Sequence, residues 1–319
     1  MVEKVIVFGG SGFIGTHLAR RLVAEGVEVV SVDIKPRRET LPGVDYRIAD
    51  VRDLSGFWAD GAINRIYNFA VIHTTPGHPT HEYYETNILG ALSVTDFAAR
   101  NGIGEIVFTS SISVYGPSEE MKTEQTPPAP ESAYGYSKLV SERIHRRWHE
   151  SASGRKLTIV RPAVVFGGGE GGNFTRLATL LRKGFFIYPG RKDTIKACIY
   201  VEDLLDAIEF ARSKSEPFIL FNGAYPQRYT LEQIIKAMIG GHFPKARTFM
   251  VPKALVLAGA RLLKMLDAFH IGIHPDRVMK LVRSTDIYPG WLTSQGREYP
   301  DAIETALKRW SAESGGKFT

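Results

Sequence analysis

The run Tyr134-Gly-Tyr-Ser-Lys138 sets a phenol and an ammonium four residues apart. On a helix that spacing puts both groups on one face. A phenol ordinarily titrates near ~10, and a neighbouring ammonium favours the phenolate and so lowers that value. Such a tyrosine can take a proton from a hydroxyl, or return one to a carbonyl, near neutral pH. Ser111, within Ser110-Ser111-Ile-Ser-Val-Tyr115-Gly116, adds a hydroxyl at the end of an apolar segment. It can hydrogen-bond the reacting oxygen and hold it near Tyr134. Tyr115 is a competing acid or base, but no lysine follows it four residues later.

A second motif supplies a ligand site. Gly9-Gly-Ser-Gly12-Phe13-Ile14-Gly15 follows the apolar run Val5 to Phe8 and opens an amphipathic stretch. A glycine turn between strand and helix lets the backbone approach a ligand closely, and the helix start offers free N–H groups to a phosphate. The spacing is G-x-x-G-x-x-G rather than G-x-G-x-x-G. Asp33, where the second strand ends, can accept both ribose hydroxyls of an adenosine and would repel a 2′-phosphate, which favours NAD over NADP. Lys35, Arg37 and Arg38 argue mildly the other way. Asp50-Val51, closing a third strand, can reach an adenine edge.

These residues need a frame, and the first half of the chain provides one. Short Val- and Ile-rich strands (4–8, 28–33, 46–49, 65–70, 105–110 and 156–161) alternate with amphipathic runs at 13–25, 82–101 and 133–149. That alternation predicts an α/β fold, a doubly wound parallel sheet with helices on both faces and right-handed crossovers. Beyond Arg161 the pattern breaks at the flexible run Gly167 to Gly172. Strands at 197–201 and 218–222, with a helix at 202–214 between them, return to the sheet. From Tyr225 onward the chain reads as mostly helical, interrupted by Pro226, Pro244, Pro252, Pro275 and Pro289. The expected division is a Rossmann domain at 1–166 plus 195–222 and a smaller substrate domain at 167–194 plus 223–319.

Composition narrows the class. The 319 residues are 44% hydrophobic and 23% charged, with a net charge of +6 and a single cysteine, Cys198. One thiol cannot form an intrachain disulfide and fits a reducing compartment. No leader and no spanning segment is evident, so the expected location is the cytoplasm. There is no metal-ligand spacing and no basic, aromatic-interleaved strand of a nucleic-acid binder. The basic runs at 35–38 and 143–147 read as solvated surface. The segment 253–269 (KALVLAGARLLKMLDAF) reads as a packed helix, with a membrane-surface contact as the alternative.

Taken together, GGSGFIG, Asp33, Asp50-Val51, Asn68-Phe-Ala-Val71, Asn87-Ile-Leu-Gly90, Ser110-Ser111 with Tyr115-Gly116, YGYSK, Arg161-Pro162 and Tyr200-Val-Glu-Asp203-Leu carry a resemblance. The chain resembles the NAD-dependent epimerase/dehydratase family of extended short-chain dehydrogenases/reductases, over nearly its whole length. The resemblance implies a catalytic set of Ser111, Tyr134 and Lys138. It implies that Gly9, Gly12, Phe13, Ile14 and Gly15 cradle the pyrophosphate of NAD and that Phe69, Ala70 and Val71 line the cofactor by backbone. Asn87 and Pro162 would sit beside it, and His73 falls where sugar epimerases commonly carry a lysine near the nicotinamide ribose. Asn173, with Phe174, and Lys196 match positions that meet a nucleotide-sugar diphosphate. Lys196 stands where an arginine is common, a point charge in place of a bidentate fork.

Departures shape the expected activity. The family usually has His at the Asn68 position and Ala at Val71. Its dehydratases follow the catalytic Ser or Thr with an acidic pair, where this chain has Ile112-Ser113, which argues against sugar dehydration. The main expectation is a nucleotide-sugar 4-epimerase, UDP-linked, working through a transient 4-keto sugar. One alternative is a dehydrogenase or reductase that releases its product, acting on a nucleotide sugar or a steroid-like alcohol. Another is a non-catalytic dinucleotide sensor. The resemblance also implies a homodimer packed through the helices at 82–101 and 133–150.

Overall fold

A computed structural model describes residues 2–36, 39–74, 77–252 and 283–319. The readings on Arg37, Arg38, Pro275 and 253–269 lie outside these residues. In chain order the elements begin with β1 (Lys4–Phe8), α1 (Phe13–Ala24), β2 (Glu28–Asp33), β3 (Val44–Ile48), β4 (Arg65–Asn68) and α2 (Thr80–Tyr84). After a π-helical turn at Glu85–Leu89 come α3 (Gly90–Arg100), β5 (Glu105–Thr109), a 3-10 turn at Ile112–Tyr115, β6 (Ser118–Lys122), α4 (Ala133–Glu150), β7 (Lys156–Pro162) and β8 (Val164–Phe166). The remainder is α5 (Asn173–Arg182), β9 (Phe185–Pro189), β10 (Cys198–Tyr200), α6 (Val201–Arg212), β11 (Phe218–Gly223), α7 (Leu231–His242), β12 (Arg247–Val251), β13 (Thr285–Ile287), α8 (Gly290–Ser294) and α9 (Ala302–Glu313).

These elements form two compact units, Met1–Gly116 with Thr126–Pro162 and Val201–Gly223, and Pro117–Gln125 with Ala163–Tyr200 and Ala224–Thr319. The first is built on a seven-stranded sheet in the order β11-β7-β5-β4-β1-β2-β3. Every pairing in it is parallel. Strand order reverses between β1 and β4, the place where a doubly wound sheet opens a crevice at its carboxyl edge. Val5, Ile6, Val7 and Phe8 of β1 are fully buried, as expected of a strand covered on both faces. Phe8 meets Phe97 edge-on at 6.1 Å, and Phe57 lies 5.5 Å from Phe97. Burying each such ring contributes about 1.5–3 kcal/mol.

Among the described residues the second unit holds three two-stranded parallel sheets, β8–β10, β9–β12 and β6–β13. Its core gathers around Trp310, which contacts Phe166 and Phe318, while Phe166 stacks on Phe174 at 4.2 Å. Here the structure departs from the sequence reading. Residues 163–166 and 195–200 group with the second unit, because β10 pairs with β8 and not with the large sheet. Residues 117–125 leave the first unit to form β6, whose polar sequence SEEMK gives no strand periodicity. The region after Tyr225 contains β12 and β13 in addition to its helices.

Candidate active site

The glycine turn is built by close approach. Gly9 has φ +77°, and a Cβ there would lie 2.6 Å from the Ala70 nitrogen and the Phe69 carbonyl carbon. The turn after β1 therefore rests directly on the backbone that follows β4. A Cβ on Gly15 would sit 2.3 Å from the Gly9 oxygen, so α1 packs against the turn only with glycine at that position. Gly12 caps α1 without a side-chain hydrogen bond, and the first turn, Phe13 to Gly15, carries no acidic residue. Its N–H groups and the positive end of the helix are left to an anion. Asp33 ends β2 and accepts from the Ser11 N–H at 3.1 Å and the Lys35 N–H at 3.0 Å. The carboxylate thus stands at the lip of the glycine turn.

Other expected cofactor residues are already engaged. Asp50 is bound by the Arg52 guanidinium, whose hydrogen bond holds the carboxyl below its ordinary range. The Val51 side chain is buried in the core against Gly90, which leaves its backbone for any ligand contact. Phe69 is buried, its ring 5.8 Å from Tyr67; Ala70 and Val71 are half-buried and His73 is exposed. Asn87, held in the π-helical turn, accepts from the Ile72 N–H at 3.0 Å and donates to the Ile72 carbonyl and to Ser137 Oγ at 2.8 Å. It clamps the 70–73 loop to α4. Pro162 ends β7 opposite Gly223 and is buried.

The YGYSK motif opens α4. Ser132 caps the helix, its side chain accepting from the Gly135 N–H at 3.1 Å. A Cβ on Gly135 would fall 2.4 Å from the Ser113 carbonyl oxygen. The glycine inside the motif is what lets the helix close on the turn that carries Ser111. Burial pushes the Tyr134 phenol above its ordinary value, and a hydrogen bond with Ser111 offsets part of that. Lys138 is 1% exposed. Its Nζ lies over the Phe108 ring at 4.3 Å and makes no hydrogen bond among the described residues. Burial pulls it down to about 7, against the raising effect of the Glu142 carboxylate. The expected lowering of the Tyr134 phenol by Lys138 is thus absent. A lysine so desolvated is a weak cation, and Ser111 is the group that favours the phenolate.

Behind these groups lies a buried polar network that sequence reading did not assemble. Arg161 binds Glu142 through Nε at 2.8 Å and Nη2 at 2.7 Å, and Ser110 Oγ donates to the same carboxylate at 2.5 Å. Arg161 Nη1 also donates to the Tyr115 hydroxyl at 2.7 Å, which donates to Asn222 at 2.9 Å. Tyr115, the competing acid or base, is therefore fixed in a structural role. His145, inside the run read as solvated surface, is fully buried and stacks on Phe108 at 4.0 Å. Its Nδ1–H donates to the Ser141 carbonyl, and its Nε2 accepts from Asn68 Nδ2 at 3.2 Å. Burial, with the nearby Lys138, holds it neutral at about 3. Helical spacing of 138, 142 and 145 was the available signal for this stripe.

Asn173 and Lys196 belong to the second unit. Asn173 is the exposed first residue of α5, whose cap Gly172 makes no side-chain hydrogen bond. Lys196 Nζ donates to the Arg283 carbonyl at 2.6 Å, and burial pulls it down to about 8.

The orphaned Lys138 ammonium, the uncapped start of α1, the glycine cradle and Asp33 fit a dinucleotide's ribose hydroxyls and pyrophosphate. Comparison with known proteins agrees. The chain is 27% identical over 315 residues, 97% of its length and 94% of the relative's, to N-acetyl-alpha-D-glucosaminyl-diphospho-ditrans,octacis-undecaprenol 4-epimerase of Escherichia coli O157:H7. It is 30% identical over 232 residues to UDP-glucose 4-epimerase of Lactobacillus helveticus, covering 64% of this chain and 70% of that one. The structure of the Thermus thermophilus UDP-glucose 4-epimerase complex with NAD superposes with a TM-score of 0.70 at 23% identity, over 96% and 98% of the two chains, a likeness of fold. The family model for the NAD dependent epimerase/dehydratase family matches residues 5–222, and the chain belongs to that family.

Proposed function

We propose that this protein is an NAD-dependent 4-epimerase of a sugar carried on a diphosphate, working through a transient 4-keto sugar. The reading is supported by the nearness of Tyr134 at the start of α4 to Ser111 after β5, with Lys138 one helical turn further along α4. Gly9, Gly12, Phe13, Ile14, Gly15 and Asp33 would hold NAD, with Lys138 on its ribose. NAD, when bound, supplies the acceptor and donor of the C4 hydride.

The chain's own groups handle the proton. Tyr134 Oη takes it from the C4 hydroxyl and returns it to the same oxygen after the sugar has presented its other face. Ser111 Oγ has one hydrogen to give: it donates to the phenolate before the proton is taken and to the C4 oxygen once that oxygen is a carbonyl. Tyr83, its ring 6.4 Å from that of Tyr134, backs the phenol. In this reading Asn173 and Lys196 bind the diphosphate.

The carrier has two readings. UDP is supported by the similarity to UDP-glucose 4-epimerases, which covers 64% of this chain for that of Lactobacillus helveticus. A polyprenol diphosphate is favoured by one observation: similarity to the undecaprenol-linked epimerase extends over 97% of this chain. No described helix is long and apolar enough to cross a membrane. We place the protein in the cytoplasm as a homodimer through the helical stretches 82–101 and 133–150; Leu89, at the end of the π-helical turn, and Leu92 of α3 are exposed.

The test is interconversion of UDP-N-acetylglucosamine and UDP-N-acetylgalactosamine, and of the polyprenol-linked pair, by the purified protein. The expected result is epimerisation of one pair without net absorbance change at the NADH band, reduced about 10²–10⁴-fold in Tyr134→Phe. Stoichiometric NADH formation would make it a dehydrogenase, and activity unaffected by Tyr134→Phe would remove catalysis by this group.

A further inference from the structure

Strands β9 and β12 pair in parallel register, Arg247 with Phe185 and Phe249 with Ile187. Alternation puts Phe186 and Tyr188 into the core, 5% and 1% exposed. The opposite face carries Phe185, Ile187 and Phe249 at 40%, 45% and 56% exposure, and Met250 at the edge is 57% exposed. Three large apolar side chains in cross-strand register form a contiguous patch, which on a water-facing surface marks an interaction site. Among the described residues β12 pairs with no strand but β9.

The surroundings state the partner's chemistry. Lys183, Lys245 and Arg247 are exposed at the end where both strands begin, and none is in an ion pair among the described residues. The Arg247 N–H donates to the Gly184 carbonyl, which brings these cations to one end of the patch. From residue 180 to 192 and from 242 to 266 the chain has no Asp or Glu. β12 also runs directly into the apolar, basic sequence of 253–266. Exposed aromatics on strands whose flanking chain carries cations and no acids are complementary to an anionic bilayer, where rings enter the interface and cations meet headgroup phosphates; the nearby acid Glu232 is paired with Lys192 beside Tyr188, on the other face of β9.

We propose that the β9–β12 face is a lipid-docking surface, seating the second unit on an anionic membrane. This goes beyond the epimerase reading, and it gives the polyprenol-linked alternative a way to present its substrate. Its test is independent of turnover, so failure of one is distinguishable from failure of the other.

The experiment is sedimentation of the full chain with vesicles of phosphatidylcholine, alone or with 30% phosphatidylglycerol as roughly the charge of an anionic leaflet. The account expects binding to the anionic vesicles, weaker in high salt. It expects a loss of about tenfold or more in the variant Phe185→Ser/Ile187→Ser/Phe249→Ser, by removal of the inserted apolar area. Lys183→Glu/Arg247→Glu should lose binding as well, and gives a second route should the apolar variant fold poorly. Full-chain protein that stays in the supernatant, or variants that bind as well as the parent, would overturn the proposal. So would sedimentation equilibrium showing that the patch joins two copies of the chain while vesicles are ignored.

Discussion

Lys138 and Lys196 are both lysines whose ammonium is held down by burial, and they are held in different ways. Lys138, in the first unit, lies over the Phe108 ring without a hydrogen bond among the described residues and falls to about 7. Lys196, in the second, is half-buried, donates to the Arg283 carbonyl and falls to about 8. The difference separates two uses of a cation. The first unit surrounds its lysine with engaged groups, Glu142 bound by Arg161 and Ser110 and a neutral His145, and among the described residues the ammonium donates to none of them. The second ties its lysine to the backbone, where a partly accessible charge can still attract an anion.

The strongest way to break this contrast is to open the first unit's network. Arg161→Met leaves the Glu142 carboxylate buried without its guanidinium, which costs about 3–5 kcal/mol. Denaturant unfolding should show that loss, and Glu142→Gln/Arg161→Met should recover part of it. A variant as stable as the parent would mean that the wall behind Lys138 is not held by this pair.

A smaller effect separates the two lysines by pH. Each has a folded value below that of an unfolded lysine, so the unfolded chain binds more protons in between and stability rises with pH there. The rise begins near 7 for Lys138 and near 8 for Lys196 and ends near the unfolded value of 10.5. Thermal unfolding across this window should lose its lower portion in Lys138→Met and keep it in Lys196→Met. Equal slopes in both variants would contradict the difference in burial. The smallest effect concerns binding. On the proposed role, Lys196→Ala raises KM about tenfold, the size of one charge-assisted hydrogen bond, with kcat nearly unchanged. An unchanged KM would remove Lys196 from the diphosphate site.

Much of the first unit was legible because its signals are local. GGSGFIG, Asp33 and YGYSK each combine a turn, a strand end or a helix start with chemistry a few residues away. The large sheet followed from alternating apolar strands and amphipathic helices. What escaped was carried by distant pairing. β6 is polar and finds β13 more than 160 residues later, and β10 joins β8 although its sequence suits the large sheet. Arg161, Glu142, Tyr115 and Asn222 lie on four separate elements, so no local spacing in the sequence announces their bonds. The phenol's electrostatics also escaped, because the i, i+4 spacing reports proximity and says nothing about how far burial weakens the lysine.

The central claim is that Tyr134 moves the proton while the C4 hydrogen leaves as hydride and returns to the same carbon. The direct measurement is turnover of a diphosphate-linked sugar deuterated at C4, with the product analysed by mass spectrometry and NMR. The account predicts full retention of deuterium at C4 of the inverted sugar, with no exchange from solvent. Deuterium washed out to water, or solvent hydrogen found at C4, would contradict it.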